Sequence, residues 1–155
     1  MFKHLLVPLD GSEYAEEALT AARELSTRFD SDITLLCVVI PVDTLLSMQR
    51  GYAASFPEIA ALAQYRSEAA REYLHSLRDS LAQQGFRVNV EIVEGAQVAE
   101  TIVRVAERLD ADTIVMSTHG NGGVRRLMLG SVAERVIRQA NVTVILIRVM
   151  DDATP

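Results

Sequence analysis

Thr113-Ile114-Val115-Met116-Ser117-Thr118-His119-Gly120-Asn121-Gly122-Gly123-Val124-Arg125-Arg126-Leu127-Met128-Leu129-Gly130-Ser131-Val132-Ala133-Glu134 joins a strand pattern, a glycine-rich loop and a helix start in one run. The apolar run from Thr113 to Met116 suits a buried parallel strand, and a helical pattern opens at Ser131. Between them lies a loop carrying Gly120, Gly122 and Gly123, with Gly130 at its far end. Glycine lets another group come close to the backbone, and a helix start presents unpaired N–H groups. Strand, glycine-rich loop and helix start therefore read together as a cradle for an anion. The same pieces also read as an ordinary connection within an α/β sheet.

Outward from this stretch, helical and strand patterns alternate. Val98, Ile102, Val105 and Leu109 mark an amphipathic helix before it; Val132, Val136 and Ala140 carry the helix after it, followed by a last apolar strand, Val142-Thr143-Val144-Ile145-Leu146-Ile147. At the other end of the chain, Leu5-Leu6-Val7-Pro8-Leu9 reads as a central strand closed by the turn Asp10-Gly11-Ser12. Ser12 is a fair N-cap for a helix whose apolar face is Ala15, Ala18, Leu19, Ala22, Leu25 and Phe29. Ile33-Thr34-Leu35-Leu36-Cys37-Val38-Val39-Ile40 is a second strand covered on both sides.

From Pro41 to Phe56 the pattern lapses for longer than most connections, so this segment reads as a functional flap or an irregular insert. Ser55-Phe56-Pro57-Glu58 has capping-box spacing and opens a long helix with a stripe of Ile59, Leu62, Ala70, Tyr73, Leu74, Leu77 and Leu81. Gly85 is placed to end that helix in the left-handed conformation. Phe86, Val88, Val90 and Ile92 then alternate with polar residues, the signature of a strand with one wet face at a sheet edge.

Five strands alternating with four helices imply an α/β fold: an open five-stranded parallel sheet with helices on both faces. Residues 1–150 read as one domain, and residues 151–155 as a frayed tail. In such sheets ligands bind beyond the carboxyl ends of the strands, where strand order reverses. Asp10 and the segment from Ser117 to Gly120 both lie there if the first and fourth strands are neighbours.

Composition narrows the classes of function. The chain has 155 residues, 49% hydrophobic and 23% charged, as expected of one globular unit. A net charge of −6 argues against nucleic acid or an anionic membrane as a general partner. It leaves room for a nucleotide, because a Debye length of roughly 8 Å screens distant carboxylates from a local cradle of N–H groups. The N-terminus lacks an extended apolar signal region, and no run is long enough to span a membrane. Cys37 is the single cysteine and has no intramolecular partner. These features lead us to expect a soluble, unprocessed protein in the reducing cytoplasm.

Individual residues in the stretch carry two readings each. Ser131-Val132-Ala133-Glu134 is itself a capping box, in which Ser131 satisfies a backbone N–H. Alternatively Gly130, Ser131 and the N–H groups of Val132 and Ala133 hold phosphate, aided by about half a positive charge from the helix dipole. Arg125 and Arg126 either close on phosphate or are solvated. His119 either bonds a sugar or phosphate oxygen or caps the strand end. Asp10 is a turn residue beside Gly11, or a contact for a ligand's ring, ribose or metal ion. Cys37 reads as a small core hydrophobe, and His4 and His75 as structural or exposed. P-loop, Gly-x-Gly-x-x-Gly, nucleophile-elbow and spaced Cys/His patterns are missing, so hydrolase, dehydrogenase and zinc-enzyme readings start weak.

Leu6-Val7-Pro8-Leu9-Asp10-Gly11-Ser12 closely resembles the opening of the universal stress protein family. Ser117-Thr118-His119-Gly120, the nine residues Asn121 to Leu129, then Gly130-Ser131 resemble the Gly-x-x-Gly, nine residues, Gly-Ser/Thr pattern of its nucleotide-binding branch. Ser117 departs from it where the family has glycine. The resemblance covers essentially the whole chain and implies a Rossmann-like sheet of the adenine nucleotide alpha hydrolase type. It implies that Pro8, Leu9, Asp10 and Val38 line the adenosine end of a pocket. Met116, Ser117, His119 and Gly120 would then border the ribose and first phosphate, and Gly130, Ser131, Val132 and Ala133 hold the later phosphates. The ligand implied is ATP or AMP, and the partner a second copy of the chain paired through the last strand, an apolar edge that would otherwise lie open. The resulting expectation is a nucleotide-dependent regulatory module in stress response. The alternatives are a slow ATPase, in which Asp10 or a bound Mg²⁺ orients water, and a dimeric interaction protein without nucleotide.

Overall fold

Leu5, Leu6 and Val7 are all fully buried although successive side chains of a strand point to opposite faces, so this strand must be covered on both sides. The computed structural model describes residues 1–48, 56–118 and 129–148, and shows how. The strands are β1 (His4–Pro8), β2 (Asp32–Val39), β3 (Val88–Glu94), β4 (Thr113–Ser117) and β5 (Thr143–Ile147). They form one parallel sheet in the order β3-β2-β1-β4-β5. The helices are α1 (Glu13–Phe29), α2 (Val42–Met48), α3 (Phe56–Gln83), α4 (Val98–Arg108) and α5 (Ser131–Gln139).

Each face of the sheet has its own core. Leu5, Val7, Ile33, Leu35 and Val115 pack under α1 and α3, which bring Ala18, Ala22, Leu74 and Leu81. Leu6, Leu36, Ile114 and Met116 pack under α4 and α5, which bring Ile102, Val105, Ala133 and Val136. This is the expected doubly wound arrangement, with β3 at one edge and β5 at the other. β1 pairs with β2 in the register Leu5↔Ile33 and with β4 in the register Leu5↔Thr113. The chain therefore builds outward from β1 to β3, then returns to the opposite side of β1 with β4. That reversal is the switch point, and the condition set for Asp10 and Ser117 is met.

Several local expectations hold in atomic detail. Ser12 caps α1, its hydroxyl accepting from the Ala15 N–H at 3.1 Å. α3 ends as Gly85 turns left-handed (φ +93°), with Gly85 N–H donating to the Ala82 carbonyl and Phe86 N–H to that of Leu81. This is the paired-bond ending that glycine favours, and Phe86 and Leu81 share the core beneath it. His4 is structural: its ring nitrogens lie 3.1 Å from the Leu109 carbonyl and 2.8 Å from Thr34 Oγ1.

Three expectations are corrected. A fifth helix, α2, occupies part of the segment in which the pattern lapsed; it is short and lacks the periodic stripe that would have announced it. Leu62 is 44% exposed, so the inward stripe of α3 does not run through it. α5 begins at Ser131 with Gly130 as N-cap and no side-chain cap bond. Ser131 is one residue inside the helix, and the capping-box reading of Ser131 and Glu134 fails. Glu134 instead accepts from Arg138 at 2.8 Å along the helix surface. Ser55 of the other capping box lies outside the described residues, as do residues 151–155.

Candidate functional site

At the switch point the chain leaves β1 through Pro8 and Leu9, whose N–H still donates to the Leu36 carbonyl at 2.8 Å. It then turns at Asp10 and Gly11. Gly11 has φ +81°, which an L side chain rarely adopts, so the turn before α1 needs glycine there. Asp10 Oδ1 accepts from the Ser12 N–H at 3.0 Å and the Ser12 hydroxyl at 2.6 Å. The turn role of Asp10 is thus realised, and Ser12 links it to the cap of α1.

On the other side of the switch, β4 ends at Ser117, which is buried and free of positive φ. Serine fits this position without backbone strain, although glycine stands there in the family pattern. Thr118 N–H donates to the Ile147 carbonyl at 2.9 Å, and the Thr118 carbonyl accepts from Gly130 N–H at 2.9 Å. That bond ties the end of β4 to the start of α5. The first intrahelical bond of α5 runs from Glu134 N–H to the Gly130 carbonyl. The N–H groups of Ser131, Val132 and Ala133 precede it, at the positive end of the helix dipole, with no side chain capping them.

One cavity of about 620 Å³ lies between these elements. Pro8, Leu9, Asp10, Val38, Met116, Ser117, Gly130, Ser131, Val132 and Ala133 all line it. Ten of the twelve residues singled out from the sequence are thereby brought together; the other two, His119 and Gly120, fall outside the described residues with Arg125 and Arg126. The volume lies within the range of small-molecule sites. Among the described residues no group of three or more His, Cys, Asp or Glu side chains could hold a metal ion. No described helix is long and apolar enough to cross a membrane.

The wall contributed by α3 was not anticipated. Tyr65, Arg66, Ala69 and Tyr73 line the cavity, as do Val98 and Ile102 of α4. Tyr73 donates to Glu16 Oε1 at 2.9 Å, joining α3 to α1; burial, and then this bond to the carboxylate, push its hydroxyl well above the usual phenol range. Cys37 is also in the wall rather than wholly in the core. Burial pushes its thiol up, the Asp10 carboxylate adds to the shift, and the Arg66 guanidinium opposes it. The sequence did hold a signal for the α3 wall. Ile59, Ala63, Arg66, Ala70 and Tyr73 recur at three- and four-residue spacing, and a stripe drawn through Leu62 skips the arginine.

The family model of the universal stress protein family matches residues 1–148. The chain belongs to the universal stress protein family. Among its relatives, universal stress protein MJ0531 of Methanocaldococcus jannaschii is 32% identical over 148 residues, covering 96% of this chain and 83% of the relative. The solved structure of MJ0577 from the same organism superposes with a TM-score of 0.82 at 29% identity, covering 98% of this chain and 99% of that one. The universal stress protein from Archaeoglobus fulgidus in complex with dAMP shares the fold at 21% identity and a TM-score of 0.59, over 93% of this chain and 96% of its own.

Proposed function

We propose that this universal stress protein binds an adenine nucleotide, ATP or AMP, at the switch point and acts as a nucleotide-dependent regulatory module in stress response. The observation that carries the reading is the meeting, in one cavity, of the Asp10 turn after β1, the end of β4 and the uncapped start of α5. Pro8, Leu9 and Val38 offer an apolar bed for the base. Asp10 supplies acceptors for ribose hydroxyls, with Met116, Ser117, His119 and Gly120 bordering the ribose and first phosphate. Gly130 and the N–H groups of Ser131, Val132 and Ala133 receive the later phosphates. Any Mg²⁺ arrives on the phosphates. The dAMP complex of the Archaeoglobus fulgidus protein, a relative by fold, is in keeping with a ligand of this class.

The same reading makes residues 1–150 one cytoplasmic unit that pairs with a second copy through β5. That strand lies at the sheet edge and keeps apolar residues on both faces. Thr143 N–H donates inward to the Asp112 carbonyl, so by alternation the N–H and carbonyl of Val144 and Leu146 point outward from the edge.

The test is to purify the protein, analyse any small molecule released on denaturation, and titrate the emptied protein with ATP and AMP. Adenine nucleotide near stoichiometry, or saturable rebinding, supports the proposal; absence of affinity at millimolar nucleotide overturns it. Conversion of ATP to ADP over hours would assign a slow ATPase instead.

A further inference from the structure

α3 is much longer than the strands it covers. Its buried residues, Ala70, Leu74 and Leu81, are confined to the C-terminal part, where it packs on β2 and β3. Because the helix runs antiparallel to the sheet, its first turns overhang the carboxyl ends of the strands and stand beside the cavity. In this overhang most side chains are exposed, Tyr65 at 68%. Arg66 is not: it is half-buried and occupies the inward stripe between Ala63 and Ala70, where burial alone would favour an apolar residue.

A guanidinium on the inward face of a helix calls for a partner. The positions three and four residues away on α3 hold Leu62, Ala63, Ala69 and Ala70, so none offers a carboxylate. Among the described residues Arg66 has no hydrogen-bonded or ion-paired partner, while it lines the same cavity as Asp10 and Cys37. Its field reaches Cys37 on β2, next to Val38. With α3 packed on β2 and β3, Arg66 shares the cavity wall with Cys37 and Val38 of β2, at the end assigned above to the nucleoside.

We propose that Arg66 is a specificity-determining contact for the nucleobase of the bound nucleotide, its planar guanidinium lying against the purine or donating to its ring nitrogens. This rests on the nucleotide reading above. A delocalised, weakly hydrated cation stacks on a base face and donates in a fork, both of which a lysine does poorly. Such a contact strengthens binding of the nucleoside whether or not phosphates are attached.

The test is calorimetric titration of wild type, Arg66→Ala and Arg66→Lys with ATP and with adenosine, alongside thermal unfolding to confirm that both variants are folded. The expected result is a loss of roughly tenfold in affinity for both ligands in Arg66→Ala, with little recovery in Arg66→Lys. Unchanged affinities in Arg66→Ala overturn the proposal. So does a loss for ATP alone that Arg66→Lys restores, because that pattern marks a charge acting on phosphate. Wild type that binds neither ligand removes the nucleotide reading as well, and so is distinguishable from failure of the Arg66 contact alone.

Discussion

At the N-cap of α5, Gly130 has φ −61° and ψ 147°, a conformation open to any residue. Its backbone angles do not require glycine, so on the nucleotide reading the glycine serves the close approach of a phosphate. Gly130→Val is expected to keep the fold, with a stability loss of about 1 kcal/mol or less from the poorer cap, and to lower ATP affinity by more than about tenfold. Titration of the folded variant checks this, and normal binding would show that the phosphates lie elsewhere. Cys37 offers a second residue-scale readout. With its thiol pushed up by burial and by Asp10, alkylation at neutral pH should be slow and should accelerate as pH rises past the ordinary thiol range of about 8.5. ATP should slow it further by covering the cavity wall, as mass spectrometry of iodoacetamide-treated protein would record. Most of these residues were legible in the sequence because the motif that marks them is local on each side of the switch. Arg66 was not, because its meaning depends on which face of α3 turns inward.

Among the elements, the helix ends divide into those that spacing located and those it misplaced. Ser12 and Gly85 each lie where a side chain or a left-handed residue has a single geometric solution, and both were found. At α5 the Ser-x-x-Glu spacing fits one residue too late, since Gly130 provides the cap geometry without a side chain. α2 was missed because seven residues form too few turns to show a period. Substituting Gly85→Ala forces an L residue into φ +93° and should destabilise by about 1 kcal/mol, measured by urea unfolding. Ser12→Ala should cost a similar amount through α1. It should also weaken nucleotide binding, because Ser12 holds Asp10 Oδ1 with two hydrogen bonds, an effect Gly85→Ala should lack.

Across the molecule, charged residues at the amino ends of the strands fix one side of the sheet. Asp112 loses some solvation, which favours its neutral form. The Lys3 N–H at 2.9 Å, the Thr113 hydroxyl at 2.8 Å and the terminal amine outweigh this and hold its carboxyl below the usual range. Arg87 holds Asp30 down likewise, bonding it at 2.8 Å and Asp32 at 2.5 Å. A depressed folded-state value means that stability is fully present above the ordinary carboxylate pKa of about 3.9 and is lost as pH falls through the lowered one. Asp112→Asn should therefore flatten the acid side of the stability–pH curve while leaving its slope near neutrality unchanged, as denaturant titrations from acid to neutral pH would show. At the far edge, Val144→Pro removes an outward-facing donor of β5 and spares the ladder to β4. If the proposed pairing through β5 holds, sedimentation velocity should find a dimer for wild type and a monomer for this variant. The layers were legible because β1 had to be covered on both faces, whereas its pairing with β4 stood only as a condition, since an apolar strand does not name its neighbours.

β1 lies at the centre of the sheet, yet one of its two neighbours is β4, which comes late in the chain. During synthesis β1, β2 and β3 can assemble first, and until β4 emerges β1, whose Leu5, Leu6 and Val7 are fully buried in the finished sheet, keeps an unsatisfied edge. A chain cut short before Thr113 would thus lack half of the site and expose an adhesive surface as well. On the nucleotide reading, occupancy of the switch point would report that β4 and the start of α5 have joined β1.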